Sequence, residues 1–161
     1  MVKHLLRQLI GLGFLLFTLL ISSCDGGSKA VLTSQQITTP KDLLAKNGQW
    51  LYINYWASWC KPCIEEIPEF NQLANILGDT AQVIAVNFDG LKGRELKNQA
   101  DKIGIKFILL EQDPAQTMGH PVPKVLPSTY VYAPNGSLHK TLIGPQTVAS
   151  LKAAMTDFNK P

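Results

Sequence analysis

Apolar side chains recur along this chain with distinct periods, and each period marks a different kind of element. Trp50 to Trp56, with Leu-Tyr-Ile-Asn-Tyr at its heart, is an apolar and aromatic run of strand length entered after Gly48, which predicts a buried central strand. From Cys60 to Leu77, the residues Ile64, Ile67, Phe70, Leu73, Ala74 and Leu77 return at spacings of three and four before Gly78, the pattern of an amphipathic helix with a glycine stop. Ala81 to Phe88 predicts a second strand, Leu91 to Ile103 a polar-faced helix closed at Gly104, and Lys106 to Leu110 a third strand. A Pro- and Gly-rich loop from Asp113 to Pro127 follows. Beyond it, Thr129–Ala133 and Ser137–Ile143 alternate on either side of Pro134-Asn135-Gly136, a hairpin signal. Gln146 to Phe158, with Val148, Leu151, Met155 and Phe158, predicts a closing helix, and Thr38 to Leu44, with a cap-like threonine and an early proline, a short opening one. The order β-α-β-α-β, then hairpin, then helix, predicts an α/β domain with a central mixed β-sheet flanked by helices.

The first residues follow another rule. Lys3 and Arg7 precede Leu9 to Ile21, an almost wholly apolar stretch of 13 residues. A basic start followed by an apolar run describes an export signal, and the run falls short of the roughly 20 residues that span a bilayer. It ends in Ser22-Ser23-Cys24-Asp25, which resembles the lipobox of bacterial lipoproteins. That resemblance implies a signal peptide over 1–23, lipidation of Cys24, and a lipid anchor with linker over 24–37 that leaves 38–161 as the folded domain. Asp25 beside the anchor implies retention at the inner membrane, on its periplasmic face. Without Lys3 and Arg7, 13 basic side chains face 12 acidic ones. A domain so close to neutral lacks the basic stripe of a nucleic-acid binder.

With Cys24 assigned to the anchor, Cys60 and Cys63 remain, two residues apart at the start of the predicted helix. A structural zinc site needs four ligands, and the chain offers no second Cys pair and no closely spaced His pair. A disulfide closing so small a loop stabilises little as a staple. Redox chemistry fits the setting. A cysteine at a helix start meets unpaired N–H groups and the positive end of the helix dipole, which favour thiolate, so Cys60 is the expected nucleophile and Cys63 the resolving thiol. Lys61 adds to that field and Glu65 and Glu66 oppose it. Trp56 and Trp59 serve either core packing or shielding of the thiols. His120 and His139, alone in a loop and a strand, are expected to be ordinary surface residues.

The pattern Trp59-Cys60-x-Pro62-Cys63-x-x-Glu66-x-Pro68, after an aromatic strand, resembles the exported thiol-disulfide oxidoreductases of the TlpA/ResA type, which carry a thioredoxin-like fold. The resemblance covers Thr38 to Phe158. It implies reduction of disulfides in exported proteins, including those of cytochrome c maturation, by a redox-active cysteine pair without a cofactor or metal. A membrane thiol reductase would supply the electrons. In that family a cis-proline before the hairpin helps bind substrate, which points to Pro127 with Leu126 and, beside the cysteines, Trp59. Asn54 stands where cytoplasmic thioredoxins carry a buried aspartate, and Glu66 where the TlpA/ResA type carries its acid–base glutamate; the other reading of Glu66 is a solvated helix face. A disulfide oxidase or isomerase, and a copper chaperone, are the alternatives, although copper chaperones of this fold usually separate their cysteines by three residues.

Overall fold

The aromatic run at residues 50–56 forms the middle of a sheet because its two faces are both buried. The computed structural model describes residues 37–38, 48–156 and 158. Strands β1 (Ile37–Thr38), β2 (Trp50–Trp56), β3 (Ala81–Asn87), β4 (Ile108–Leu110), β5 (Ser128–Tyr132) and β6 (Leu138–Ile143) assemble in the order β1-β4-β3-β2-β5-β6. Strands β1, β4, β3 and β2 run parallel, while β5 pairs antiparallel with both β2 and β6. This is the mixed sheet that the element order predicts.

Helix α1 (Lys61–Leu77) links β2 to β3, and α2 (Gly93–Lys102) links β3 to β4. Both crossovers step the same way across the sheet, so right-handed connection puts both helices on one face. Strand parity agrees. Tyr52, Trp56, Val83, Ala85 and Val131 join Ile67, Phe70 and Leu73 of α1, Leu96 and Ala100 of α2, and Leu151 and Ala154 of the closing helix α4 (Val148–Thr156) in one buried cluster. Their neighbours in sequence, Leu51, Ile53, Tyr55, Ile84, Val86, Tyr130 and Tyr132, form a second cluster on the opposite face. The period of two along each strand thus divides the core.

Local chemistry sets the ends of the elements. Helix α1 runs through Pro68, which lies on its exposed side, and stops at Gly78. In the hairpin, Gly136 takes φ 81° and donates its N–H to Ala133 O, while the Asn135 side chain accepts from Ser137. Glycine is suited to that left-handed position. Thr147 caps α4: its Oγ1 accepts from Ser150 N and its own N–H donates back to Ser150 Oγ, a reciprocal pair of the capping-box kind.

Three expectations change. Thr38 is in β1, paired with Leu110, not in a helix, and the rest of that predicted helix lies outside the described residues, as do Cys24 and the stretch expected to be an export signal. The Pro- and Gly-rich loop contains a single helical turn, α3 (Ala115–Met118), too short to show a period in the sequence. His120 is not a surface residue: only 4% of it is exposed. Tyr55 of β2, 65 residues away, joins Tyr130 and Tyr132 of β5 around it.

Phe70 is fully buried between α1 and the sheet, with its ring 5.9 Å from that of Phe107. Replacing Phe70 by Ala should lower the unfolding free energy by about 3–5 kcal/mol. Urea denaturation of the oxidised protein checks this, with an unchanged m-value expected.

Candidate active site

The backbone turns into α1 through Cys60. Its N–H donates to Ala57 O at 3.1 Å, its φ and ψ are extended, and its Sγ accepts from Cys63 N at 3.3 Å, so the sulfur itself caps the helix. A sulfur there faces the free amides of the first turn. Cys60 and Cys63 form a disulfide with Cα atoms 5.3 Å apart. Cys60 retains 4% exposure and Cys63 none, so Cys60 is the member of the pair that reaches the surface. Pro62, the second helical residue, occupies a turn where a missing N–H leaves no bond unmade.

The two tryptophans take different roles. Trp56 is wholly buried in the core beneath α1. Trp59, 64% exposed, presents its ring beside Cys60; its indole N–H donates to the Asp89 carboxylate at 3.1 Å and its edge meets Phe88. Phe88 is brought there by the bond from its N–H to Trp56 O. Lys61 pairs with Glu65 at 3.7 Å, both on the exposed side.

Glu66 is buried, which excludes the solvated-face reading. It follows Cys63 by three residues on the buried stripe of α1. Its Oε1 accepts from Asn54 Nδ2 at 2.7 Å and its Oε2 from the Gln146 backbone N–H at 2.9 Å. Asn54 lies on the α1 face because it shares strand parity with Tyr52 and Trp56, and its Nδ2 also reaches Thr129 Oγ1, its cross-strand partner, at 3.1 Å. Burial pushes the Glu66 carboxyl up to about 7, against the opposing pull of the Gln146 and Asn54 hydrogen bonds. The Asn54 oxygen has no hydrogen-bond partner among the described residues. Turning the amide over offers that oxygen to a protonated Glu66 and to the Thr129 hydroxyl, so the same residue can serve both charge states.

The Leu126–Pro127 peptide is cis. The β2–β5 register pairs Tyr55 with Ser128, and one further step sets Pro127 opposite Trp56, at the end of β2 from which the cysteine turn departs. Leu126 is half-buried against the cluster that contains both cysteines, and Val125 before it is 52% exposed. Gly144 N donates to Pro127 O at 2.9 Å.

On the opposite face His120 stacks on Tyr130, with ring centroids 4.0 Å apart, and its nitrogens contact Tyr55 Oη at 3.0 Å and Tyr132 Oη at 2.5 Å. Burial lowers the imidazole's proton affinity and Asp113 partly restores it. Burial also pushes Tyr132 up to about 12. His139 is half-buried, its ring edge-on to Trp50 and Phe158. Asp89, Gln146 and Asp113 were not singled out from the sequence, since nothing local marks them.

The AhpC/TSA family model matches residues 28–141. The chain belongs to the AhpC/TSA family. Among curated proteins it is 28% identical over 106 residues to thiol-disulfide oxidoreductase ResA of Geobacillus thermodenitrificans, covering 65% of this chain and 60% of that protein. It is 26% identical over 117 residues to sporulation thiol-disulfide oxidoreductase A of Bacillus subtilis, covering 68% of each. The match therefore spans about three-fifths of the length of the ResA proteins. Among solved structures, a putative thiol:disulfide interchange protein DsbE from Chlorobium tepidum superposes with a TM-score of 0.56 at 26% identity, covering 70% of this chain and 81% of that one. StoA from Bacillus subtilis gives 0.56 at 23%, covering 69% and 85%, a likeness of fold. The mixed sheet with flanking helices is the thioredoxin-like fold that the cysteine motif implied.

A carboxyl raised from 4.5 to about 7 holds its proton more tightly in the folded chain than in the unfolded one. Glu66 therefore costs nothing below pH 4.5, removes stability as pH rises through the window to about 7, and adds no further slope above it. At about 1.4 kcal/mol per pH unit the loss comes to roughly 3 kcal/mol. Denaturation midpoints of the parent protein and Glu66→Gln, followed from pH 4 to pH 8, should diverge by that order, and Gln should flatten the parent's decline. Parallel curves would show that Glu66 does not titrate in this window.

Proposed function

We propose that this chain is a thiol-disulfide oxidoreductase acting mainly as a reductant of disulfides in exported proteins. The observation that carries the reading is the graded burial of the pair: Cys60, at the cap of α1, retains slight exposure, while Cys63 is sealed beneath it. Reduced Cys60, favoured as thiolate by the amides of the first turn, attacks a substrate disulfide; a bond forms to one substrate sulfur and the other leaves as thiolate. Cys63 then loses its proton and attacks the Cys60 sulfur. The second substrate thiolate departs and the Cys60–Cys63 disulfide is restored, so two electrons have passed to the substrate. The pair carries them without a cofactor.

Glu66 is the proton acceptor for Cys63 in this scheme. It lies one turn farther along the same buried stripe, and a carboxyl near 7 can both hold and release a proton at neutral pH. Trp59, Leu126 and Pro127 form the substrate-binding rim, supported by the exposed indole and by the apolar step at Val125 and Leu126. Relatives named thiol-disulfide oxidoreductase support the chemistry. The location is proposed from the N-terminal sequence: a lipid on Cys24 tethers the domain at the periplasmic face of the inner membrane, beside a membrane thiol reductase that renews the pair. Cytochrome c maturation is the pathway that the TlpA/ResA resemblance favours.

Cys63→Ser should trap exported proteins as mixed disulfides on Cys60, visible on non-reducing gels, and Cys60→Ser should trap none. Equilibration of the pair with a dithiothreitol buffer should give a potential near or below about −250 mV; a value near about −120 mV would make the protein an oxidant. Incorporation of labelled palmitate should be lost in Cys24→Ser, and labelling that survives the change would remove the anchor from this reading.

A further inference from the structure

The face of the sheet away from α1 carries a polar network that the exchange chemistry does not use. Tyr55, Tyr130 and Tyr132 project there from β2 and β5, and all three hydroxyls reach the segment between β4 and β5. Tyr55 Oη contacts Asp113 Oδ1 at 2.5 Å and His120 Nε2 at 3.0 Å; Tyr132 Oη contacts His120 Nδ1 at 2.5 Å and Met118 O at 3.0 Å; Tyr130 Oη donates to Pro121 O at 2.7 Å. Asp113 Oδ1 also accepts from Ala115 N at 2.9 Å, and His120 N donates to Ala115 O at 3.1 Å across Gly119.

Counting hydrogens and comparing distances assigns the directions. The single hydroxyl hydrogen of Tyr55 goes to Asp113 Oδ1, so the Tyr55 oxygen must accept from Nε2–H. In a neutral ring Nδ1 is then bare, and the single Tyr132 hydrogen has two acceptors within reach, Met118 O at 3.0 Å and Nδ1 at 2.5 Å; given to the nearer one, it makes Nδ1 an acceptor and leaves the Met118 carbonyl without that donor. Burial favours the neutral ring, and the stacked Tyr130 fixes its plane.

We propose that His120 is a positioning residue: protonated at Nε2 alone, it closes a one-way donor chain from Tyr132 through His120 and Tyr55 to Asp113, which moors the segment from Asp113 to Leu126 on β2 and β5. Those are the strands that end at the cysteine turn and begin after Pro127. The network therefore holds the Leu126–Pro127 step in place at the end of β2 from which the cysteine turn departs, and His120 sets how well a polypeptide substrate is received. In that last respect the inference rests on the function proposed above.

His120→Phe keeps a flat ring against Tyr130 but removes both nitrogens, while His120→Gln keeps one donor and one acceptor. With the full chain, the Phe variant should raise the half-saturating concentration of insulin, used as a protein disulfide, by roughly five- to tenfold. Its kcat, and the rate at which its reduced form cleaves the small disulfide 5,5′-dithiobis(2-nitrobenzoate), should not change, and the Gln variant should lie within about twofold of the parent. Equal insulin kinetics in all three proteins, or a small-disulfide rate that falls in step with insulin, would overturn the inference. Nitrogen NMR of the parent supplies an independent arm. A ring protonated at Nε2 only sustains the chain, and a proton on Nδ1 refutes it. Should the parent reduce neither disulfide, the functional reading falls and the NMR result alone decides the network.

Discussion

A carboxylate taken out of water must be met by donors, and the burial of Glu66 imposes that demand at the centre of this domain. Its two oxygens are met from two directions, by the Asn54 side chain on β2 and by the Gln146 backbone in the turn before α4. One side chain of α1 thus ties the central strand to the start of the closing helix. Three residues farther on, Glu69 Oε2 accepts from Val148 N at 2.7 Å, adding a negative charge at the α4 N-terminus, where free amides and the helix dipole favour one. The position of α1, and with it the disulfide at its first turn, follows from this docking.

Consecutive residues of β2 point to opposite sides of the sheet, and at its C-terminal end both are polar. Asn54 enters the Glu66 network under α1, and Tyr55 enters the His120 network on the other face. Each network then reaches β5, at Thr129 on one side and at Tyr132 beyond His120 on the other. The same two strands therefore hold a buried carboxyl under α1 on one face and hydrogen-bond the segment before Pro127 on the other. Apolar packing sets the layers of the domain, whereas these hydrogen bonds set the register between its parts, because a directional bond between buried groups tolerates little displacement.

The cysteine turn shows how little of the molecule the candidate exchange site occupies. Helix-start geometry, the capping sulfur and the first-turn proline all fall within residues 60–63. What surrounds them is contributed from elsewhere: Asp89 and Phe88 hold Trp59 from the end of β3, and Leu126 packs from the segment before β5.

Much of the fold was legible in the chain because strand and helix periods are local. The aromatic run of β2, the three-and-four spacing of α1 and the Asn-Gly turn each express their element within a few residues, and the cysteine spacing with Glu66 and Pro127 marked the candidate site through family resemblance. Segments without a period were not legible: β1 has two residues and α3 four. Nor were the partners of Glu66 and His120, since Gln146 lies 80 residues from Glu66 and Tyr55 lies 65 from His120. The sequence by itself determined which faces are apolar and where a thiol pair opens a helix. Only the tertiary structure decided that Glu66 and His120 are buried, because the burial of a polar side chain depends on donors and acceptors that long-range strand pairing brings to it.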